Sequence, residues 1–157
     1  DMCFGGAYYP YSHKVLIYQS NQELKSPFYE VVGPALDGRA LVVCELAKNV
    51  FLSIVSHIAG KREKERAHEL LSKCAIIPDN PSERTKKLPE RKRFSKRNRI
   101  IFGTGDSHGY LTITSNQAYV RSAAEAGLNY AVFVHPARSF SEDCVDFGEG
   151  GERGRRV

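Results

Sequence analysis

The sequence lacks long hydrophobic runs and closely spaced metal ligands. No stretch approaches the roughly 18 uninterrupted apolar residues of a transmembrane helix, so we expect no membrane span. The four cysteines, Cys3, Cys44, Cys74 and Cys144, offer no Cys-x-x-Cys pattern, which argues against a structural zinc site. The His-x-Glu and Pro-Cys-x-x-Cys pair of zinc deaminases is also missing. We therefore predict no metal centre.

The redox state and the cellular compartment stay open at this stage. If oxidised, four cysteines allow three pairings. A Cys3–Cys144 bridge would tie the two ends of a secreted protein together, and free, partly buried thiols are the equal alternative. Processing before Asp1 would give a secreted protein, whereas a native start at Met2 would give an intracellular one. We favour the secreted origin.

Length and charge indicate one soluble domain with a preference for polyanions. A chain of 157 residues is long enough to bury its own core. We predict a single α+β domain over 1–147 and a disordered Gly/Arg-rich tail over 148–157. The net charge of +5 and the isoelectric point near 9.1 favour RNA or another polyanion as a partner.

The apolar pattern predicts a largely antiparallel β-sheet packed with one or two helices. "GKREKERAHELLSKC" carries a narrow helical stripe at Ala67, Leu70, Leu71 and Cys74, which predicts a helix over 60–74. "NQAYVRSAAEA" predicts a second helix over 116–126, ended by Gly127. The predicted extended elements are strands over 13–18, 27–32, 39–46, 50–57 and 130–135, with a hairpin over 99–114.

His13 and Glu30 are the first candidates for chemistry. Adjacent antiparallel strands would place both side chains on one face of the sheet. A histidine and a carboxylate aimed at one substrate form a general acid–base couple near neutral pH. Cleavage of a phosphodiester through a neighbouring 2′-hydroxyl also needs a fixed cation on the phosphate, and Arg39 and His57 are candidates for the remaining roles.

A resemblance accompanies these residues. "YPYSHKV", "SPFYEVV" and "GRALVVCELAKNVFLSIVSHIAG" resemble the core of the small fungal guanyl-specific ribonucleases and sarcin-type ribotoxins. The resemblance implies an RNase-like fold and metal-independent cleavage of RNA through a 2′,3′-cyclic phosphate, without a cofactor. It assigns His13 and His57 as the two histidines, Glu30 as the base and Arg39 as the phosphate-binding guanidinium. RNase-like secreted effectors of powdery mildews share that scaffold and often lack the catalytic set.

A second alignment to the same family uses the later sequence "YAVFVHPARS". It gives the second-histidine role to His135, with Arg99 or Arg121 as the cation, and makes 45–98 an insertion. We prefer His57 in that role.

The basic run over 84–99 is the strongest charge feature. Nine of the sixteen residues of "RTKKLPERKRFSKRNR" are Lys or Arg, and Pro89 in the middle predicts a loop. Such a run, with Phe94 interleaved, favours a salt-sensitive and sequence-tolerant nucleic-acid contact; a solubilising loop is the alternative. The predicted contact residues are Lys86, Lys87, Arg91, Lys92, Arg93, Lys96, Arg97 and Arg99.

Three functions follow from these features. The first is a ribonuclease that uses His13, Glu30, Arg39 and His57. The second is a non-catalytic binding protein on an RNase-like or other α+β scaffold, which binds RNA or a host protein through 84–99; a secreted effector acting in virulence is one such case. The third is a protein-interaction domain whose charge is incidental.

Overall fold

A computed structural model of the chain describes residues 14–89, 94–138 and 140. The predicted tail, His13, Cys3, Cys144 and Arg91 to Arg93 lie outside these ranges. In chain order the described elements are α1 (Lys14–Lys25), α2 (Phe28–Leu36), β1 (Leu41–Cys44), α3 (Glu45–Ile58), α4 (Lys61–Ser72), β2 (Cys74–Ile77), α5 (Glu83–Lys86), α6 (Lys96–Ser107), β3 (Thr112–Thr114), α7 (Gln117–Glu125) and β4 (Val132–Val134).

The chain mixes helices with short strands, as the predicted α+β class requires, but the large antiparallel sheet is wrong. The described strands form two parallel pairs, β1 with β2 and β3 with β4. Helices α3 and α4 separate the first pair along the chain, and α7 separates the second. Parallel strands need such crossover connections, whereas an antiparallel meander is joined by short turns.

Three of the predicted strands are helices in the structure. Residues 14–18 belong to α1, 28–32 to α2 and 50–57 to α3. In α3 the residues Phe51 and Val55, followed by Ala59, recur every four positions and pack against Ala67. This helical spacing is hidden in an almost continuously apolar stretch, where a period of two and a period of 3.6 look alike.

The predicted hairpin over 99–114 is also wrong, because residues 99–107 belong to α6. Ser95 begins that helix by accepting a hydrogen bond from the Asn98 backbone nitrogen at 3.3 Å. Phe102 then enters the main core cluster. The other buried members of that cluster are Leu88, Phe94, Tyr119, Ala123 and Leu128.

Gly103 in α6 allows a close approach of the chain and does not mark a turn. A Cβ at this position would lie 2.8 Å from the Cβ of Pro81 and 2.9 Å from the Cγ2 of Thr85. The backbone nitrogen of Ser82 donates to the Gly103 carbonyl at 3.0 Å. The glycine therefore lets residues 81–85 lie directly on α6.

Gly103→Ala is expected to lower the free energy of unfolding by about 1–3 kcal/mol, the usual cost of overpacking. Gly33→Ala in α2 is the matched control, since its Cβ would meet the Tyr29 ring at an ordinary 3.7 Å. Urea unfolding of both variants measures the difference. An unchanged midpoint for Gly103→Ala would show that residues 81–85 do not pack as described.

Two predicted helices and two predicted strands are confirmed, whereas β2 and α5 were not predicted. The predicted helices are confirmed as α4 and α7, and Gly127 after α7 has a φ of 82°. The strands predicted over 39–46 and 130–135 are confirmed in shorter form as β1 and β4. Among the described residues no helix is both long and apolar enough to cross a membrane.

Candidate nucleic-acid interface

The 80–88 segment lies antiparallel along α6. At one end Ser107 Oγ donates to the Asn80 carbonyl at 2.6 Å, and the Asn80 backbone nitrogen donates to Thr104 Oγ1 at 2.9 Å. At the other end the guanidinium of Arg99 donates to the Leu88 carbonyl at 3.0 Å. The segment is thus fixed at both ends of the helix, so its side chains have defined positions.

Asp106 anchors the middle of this segment. Ser82 Oγ donates to Asp106 Oδ2 at 2.6 Å, and Arg84 Nε donates to the same oxygen at 2.7 Å. A second guanidinium nitrogen of Arg84 donates to Oδ1. The Arg84 guanidinium, assisted by Ser82 and opposed by burial, holds the pKa of Asp106 below its usual range.

The depressed pKa of Asp106 gives the protein an acid-sensitive contact. A carboxylate whose folded pKa is lowered adds stability above its unfolded pKa, and this stability is lost as pH falls through the folded value. We therefore expect Asp106→Asn to lose less stability than the wild type below about pH 4. Urea unfolding across that range tests this, and equal acid dependence in both proteins would contradict it.

A chain of hydroxyl groups connects this anchor to the core. Because ionised Asp106 only accepts, Ser82 must donate to it, and Thr85 Oγ1 then donates to Ser82 Oγ at 2.8 Å. The hydroxyl of Tyr130 lies 3.0 Å from Thr85 Oγ1 and 3.4 Å from the Tyr119 hydroxyl. Burial raises the pKa of Tyr119 well above its usual range, so this hydroxyl keeps its proton. The 80–88 segment is thereby fastened to α7 and to the residues before β4.

Five of the predicted nucleic-acid contacts fall within the described residues. Lys87, Lys96 and Arg97 are exposed and form no ion pair within the part of the chain that the structure describes. Lys86 pairs with Glu83 at 2.6 Å, with both side chains exposed, and Arg99 holds the Leu88 carbonyl. The loop prediction is wrong at both ends, since 84–86 belong to α5 and 96–99 to α6.

The predicted catalytic residues lie on separate elements. Glu30 is exposed in α2, Arg39 is exposed in the connection before β1, and His57 is exposed in the last turn of α3. The ring of His57 contacts the Ser53 carbonyl at 2.6 Å and Ser56 Oγ at 3.1 Å. Within residues 14–89 and 94–138, no hydrogen bond or ion pair joins Glu30, Arg39 and His57 to one another. The strands predicted to carry Glu30 and His57 are helices.

The alternative histidine has a structural environment of its own. His135 follows β4, its ring packs edge-on against Phe28 at 5.0 Å between centroids, and its Nδ1 lies 2.9 Å from the Pro136 carbonyl. Arg121 is exposed on α7, while Arg99 is tied to the 80–88 segment. The described contacts therefore do not bring either arginine to His135.

The two described cysteines are free thiols. Cys44 is buried at the end of β1 and Cys74 is half-buried at the start of β2, at opposite ends of that strand pair. Burial raises the pKa of both. These thiols are not activated at neutral pH, because the thiolate is the reactive form.

Two aspartates with structural roles were missed by sequence reasoning. Asp106 accepts hydrogen bonds from the side chains of Ser82 and Arg84. Asp79 Oδ1 accepts a hydrogen bond from the Leu46 backbone nitrogen at 3.0 Å, at the start of α3. The partners are 24, 22 and 33 residues away, so nothing in the local pattern reveals them. The sequence offered one indication, and it concerned Asp106: this acidic residue lies among the glycines of "GTGDSHG" and follows a basic run that could supply its partner.

The whole described part of the chain falls within one protein-family match. A family model described as "Protein of unknown function (DUF1308)" matches residues 1–146. The chain belongs to this family. No solved structure matches it. The DUF1308 description names no activity, so the function proposed below rests on the geometry of the described residues.

Proposed function

We propose that this chain binds RNA through the phosphate backbone, using the exposed cations of the 80–88 segment and the first turn of α6. The observation that carries the proposal is the set of exposed cations Lys87, Lys96 and Arg97, which form no ion pair within the described ranges and belong to elements held against one another by hydrogen bonds. Phosphate contacts of this kind supply sequence-independent affinity by releasing counterions.

The position of two of these cations strengthens the electrostatic attraction. Lys96 and Arg97 occupy the first turn of α6, which contains no acidic residue. The amino end of a helix already carries a partial positive charge, and acidic residues are the favoured occupants there. Two cations at this end repel the helix dipole, and a bound phosphate would relieve that repulsion.

The neighbouring ion pair adds a cation that can change partner. Lys86 and Glu83 are both exposed, and exposed pairs of this kind contribute little stability. A phosphate can therefore replace Glu83 as the partner of Lys86. Arg84 is held by Asp106 and serves to fix the segment.

The test is the affinity of a labelled RNA for two charge-matched variants. Changing Lys87, Lys96 and Arg97 to Gln lowers the net charge from +5 to +2, since three charges are removed. Changing the exposed Lys25, Lys61 and Arg62 to Gln lowers it equally. Fluorescence anisotropy at low salt is expected to show weaker binding by the first variant and near wild-type binding by the second. Equal losses would mean that total charge, and not this surface, attracts RNA.

Cleavage of the bound RNA stays a prediction, resting on the resemblance and on His13, Glu30, Arg39 and His57. A denaturing gel of the RNA from the same assay, run with and without EDTA, separates the two activities. Metal-independent cleavage that Glu30→Gln abolishes supports the ribonuclease. Intact RNA in a retarded complex supports the binder. No binding at low salt would leave the protein-interaction domain whose charge is incidental.

A further inference from the structure

We propose that the RNA bound here is single-stranded, and that its bases stack on an exposed aromatic pair, His108 and Tyr110, at the carboxyl end of α6. This proposal rests on the proposed function, because the phosphates are bound by the cations described above. It adds the class of nucleic acid and a second set of contacts.

The aromatic pair is exposed and already stacked. The ring centroids of His108 and Tyr110 lie 5.2 Å apart with an interplanar angle of 25°. Tyr110 is 42% exposed, His108 is exposed, and the neighbouring Leu111 is 41% exposed. Each base has a flat π-face, so such a surface can stack bases of any identity.

Hydrogen bonds hold the pair in place. His108 Nδ1 donates to the Thr104 carbonyl at 2.9 Å, which fixes the ring on the end of α6. The Tyr110 backbone nitrogen donates to the Gly105 carbonyl at 2.9 Å. Gly109, which separates His108 from Tyr110 in the chain, has a φ of 66°, a backbone conformation that few other residues adopt without strain. A base that stacks here does not have to order a mobile loop first.

The pair lies on the same side of α6 as Arg97, one of the exposed cations. Arg97 and His108 are eleven residues apart, which in an α-helix is about 16 Å along the axis and about 20° around it. The Asn80 end of the 80–88 segment lies on this side, bonded to Thr104 at about 20° from Arg97, whereas its Leu88 end is bonded to Arg99, about 160° around the helix. A strand that runs parallel to α6 from Arg97, past the Asn80 end of the segment, therefore reaches the aromatic pair.

The distance suits a short stretch of RNA. At about 3.4 Å per stacked nucleotide, about 16 Å corresponds to about five nucleotides. Bases in a duplex are stacked on one another and paired, so they cannot stack on the protein along the strand. Charge alone would favour the duplex, since it carries more phosphates per unit length. Tighter binding of single-stranded RNA than of duplex RNA would therefore indicate that the bases stack on the aromatic pair.

The first experiment compares a single-stranded RNA of about 12 nucleotides with the duplex of the same sequence. Tyr110→Leu is expected to lower single-strand affinity about tenfold, the effect of losing one stacked base, and to leave duplex affinity unchanged. Tyr18→Leu, at a tyrosine that is 64% exposed on α1, is the matched control and should leave both unchanged. Equal affinity for both RNAs, or no effect of Tyr110→Leu, would overturn the proposal.

The second experiment uses the absence of tryptophan. Because the chain has none, Tyr110→Trp introduces a single indole reporter. Its emission is expected to be quenched by the single strand and unchanged by the duplex. If Tyr110 variants behave as wild type while the Lys87, Lys96 and Arg97 variant loses RNA, phosphate binding stands and stacking is wrong. If the cation variant also binds as wild type, the proposed function itself fails.

Discussion

Replacing Arg138 by Met is expected to lower the free energy of unfolding by about 3 kcal/mol, the lower end of the usual cost of breaking a buried ion pair. The Arg138 side chain is 4% exposed, and its Nε donates to Glu23 Oε2 at 2.7 Å. Another of its nitrogens donates to the Ser26 carbonyl at 3.1 Å. Glu23 in turn accepts a hydrogen bond from the backbone nitrogen of Phe28, the first residue of α2, at 3.0 Å. One arginine therefore ties α1 and the start of α2 to the chain beyond β4.

An exposed pair supplies the control for this prediction. Lys73 and Glu69 lie 2.6 Å apart, with side chains 63% and 64% exposed, so Lys73→Met should leave the unfolding midpoint unchanged. Urea unfolding followed by circular dichroism compares the two. Equal and small effects would show that Arg138 does not hold the two parts of the chain together.

Removing the exposed cations is expected to change the salt dependence of RNA binding. Each phosphate contact to single-stranded nucleic acid adds about 0.7 to the slope of log affinity against log salt. Changing Lys87, Lys96 and Arg97 to Gln should therefore reduce the slope by about 2. Between about 50 and 200 mM salt, wild-type affinity would then fall about 20-fold further than that of the variant. Anisotropy titrations across this range measure both slopes.

The Lys25, Lys61 and Arg62 variant provides the comparison for these slopes. It has the same net charge but keeps the proposed interface, so its slope should equal that of the wild type. If both variants lose slope equally, the phosphates are not bound at a defined surface.

The sequence predicted the elements whose apolar residues share one face. The stripe through Ala67 gave α4, and the Ala-rich stretch ended by Gly127 gave α7. It failed where apolar residues are nearly continuous, as in α3, because periodicity then does not distinguish a helix from a buried strand. It failed again in α6, where Gly103 marks close packing against Pro81 and Thr85 and not a turn.

The candidate interface was only partly visible in the sequence. The run over 84–99 indicated an excess of cations, and composition alone was enough for that. The sequence does not show that Arg84 donates a hydrogen bond to Asp106, or that Arg99 donates one to the Leu88 carbonyl, so it does not show which cations remain available to a phosphate. These contacts join residues far apart in the chain, so local patterns carry no record of them. That His108 lies on the same side as Arg97 could not be inferred from a sequence interpreted as a hairpin, because it depends on residues 96–107 forming one helix.

The most direct measurement is photochemical cross-linking of the wild-type protein to a single-stranded RNA, followed by mass spectrometry of the peptides. We expect cross-links within the 80–88 segment, in the first turn of α6 and at His108 or Tyr110. Cross-links confined to α1, α2 and α3, or none under conditions in which RNA is retained, would contradict this expectation.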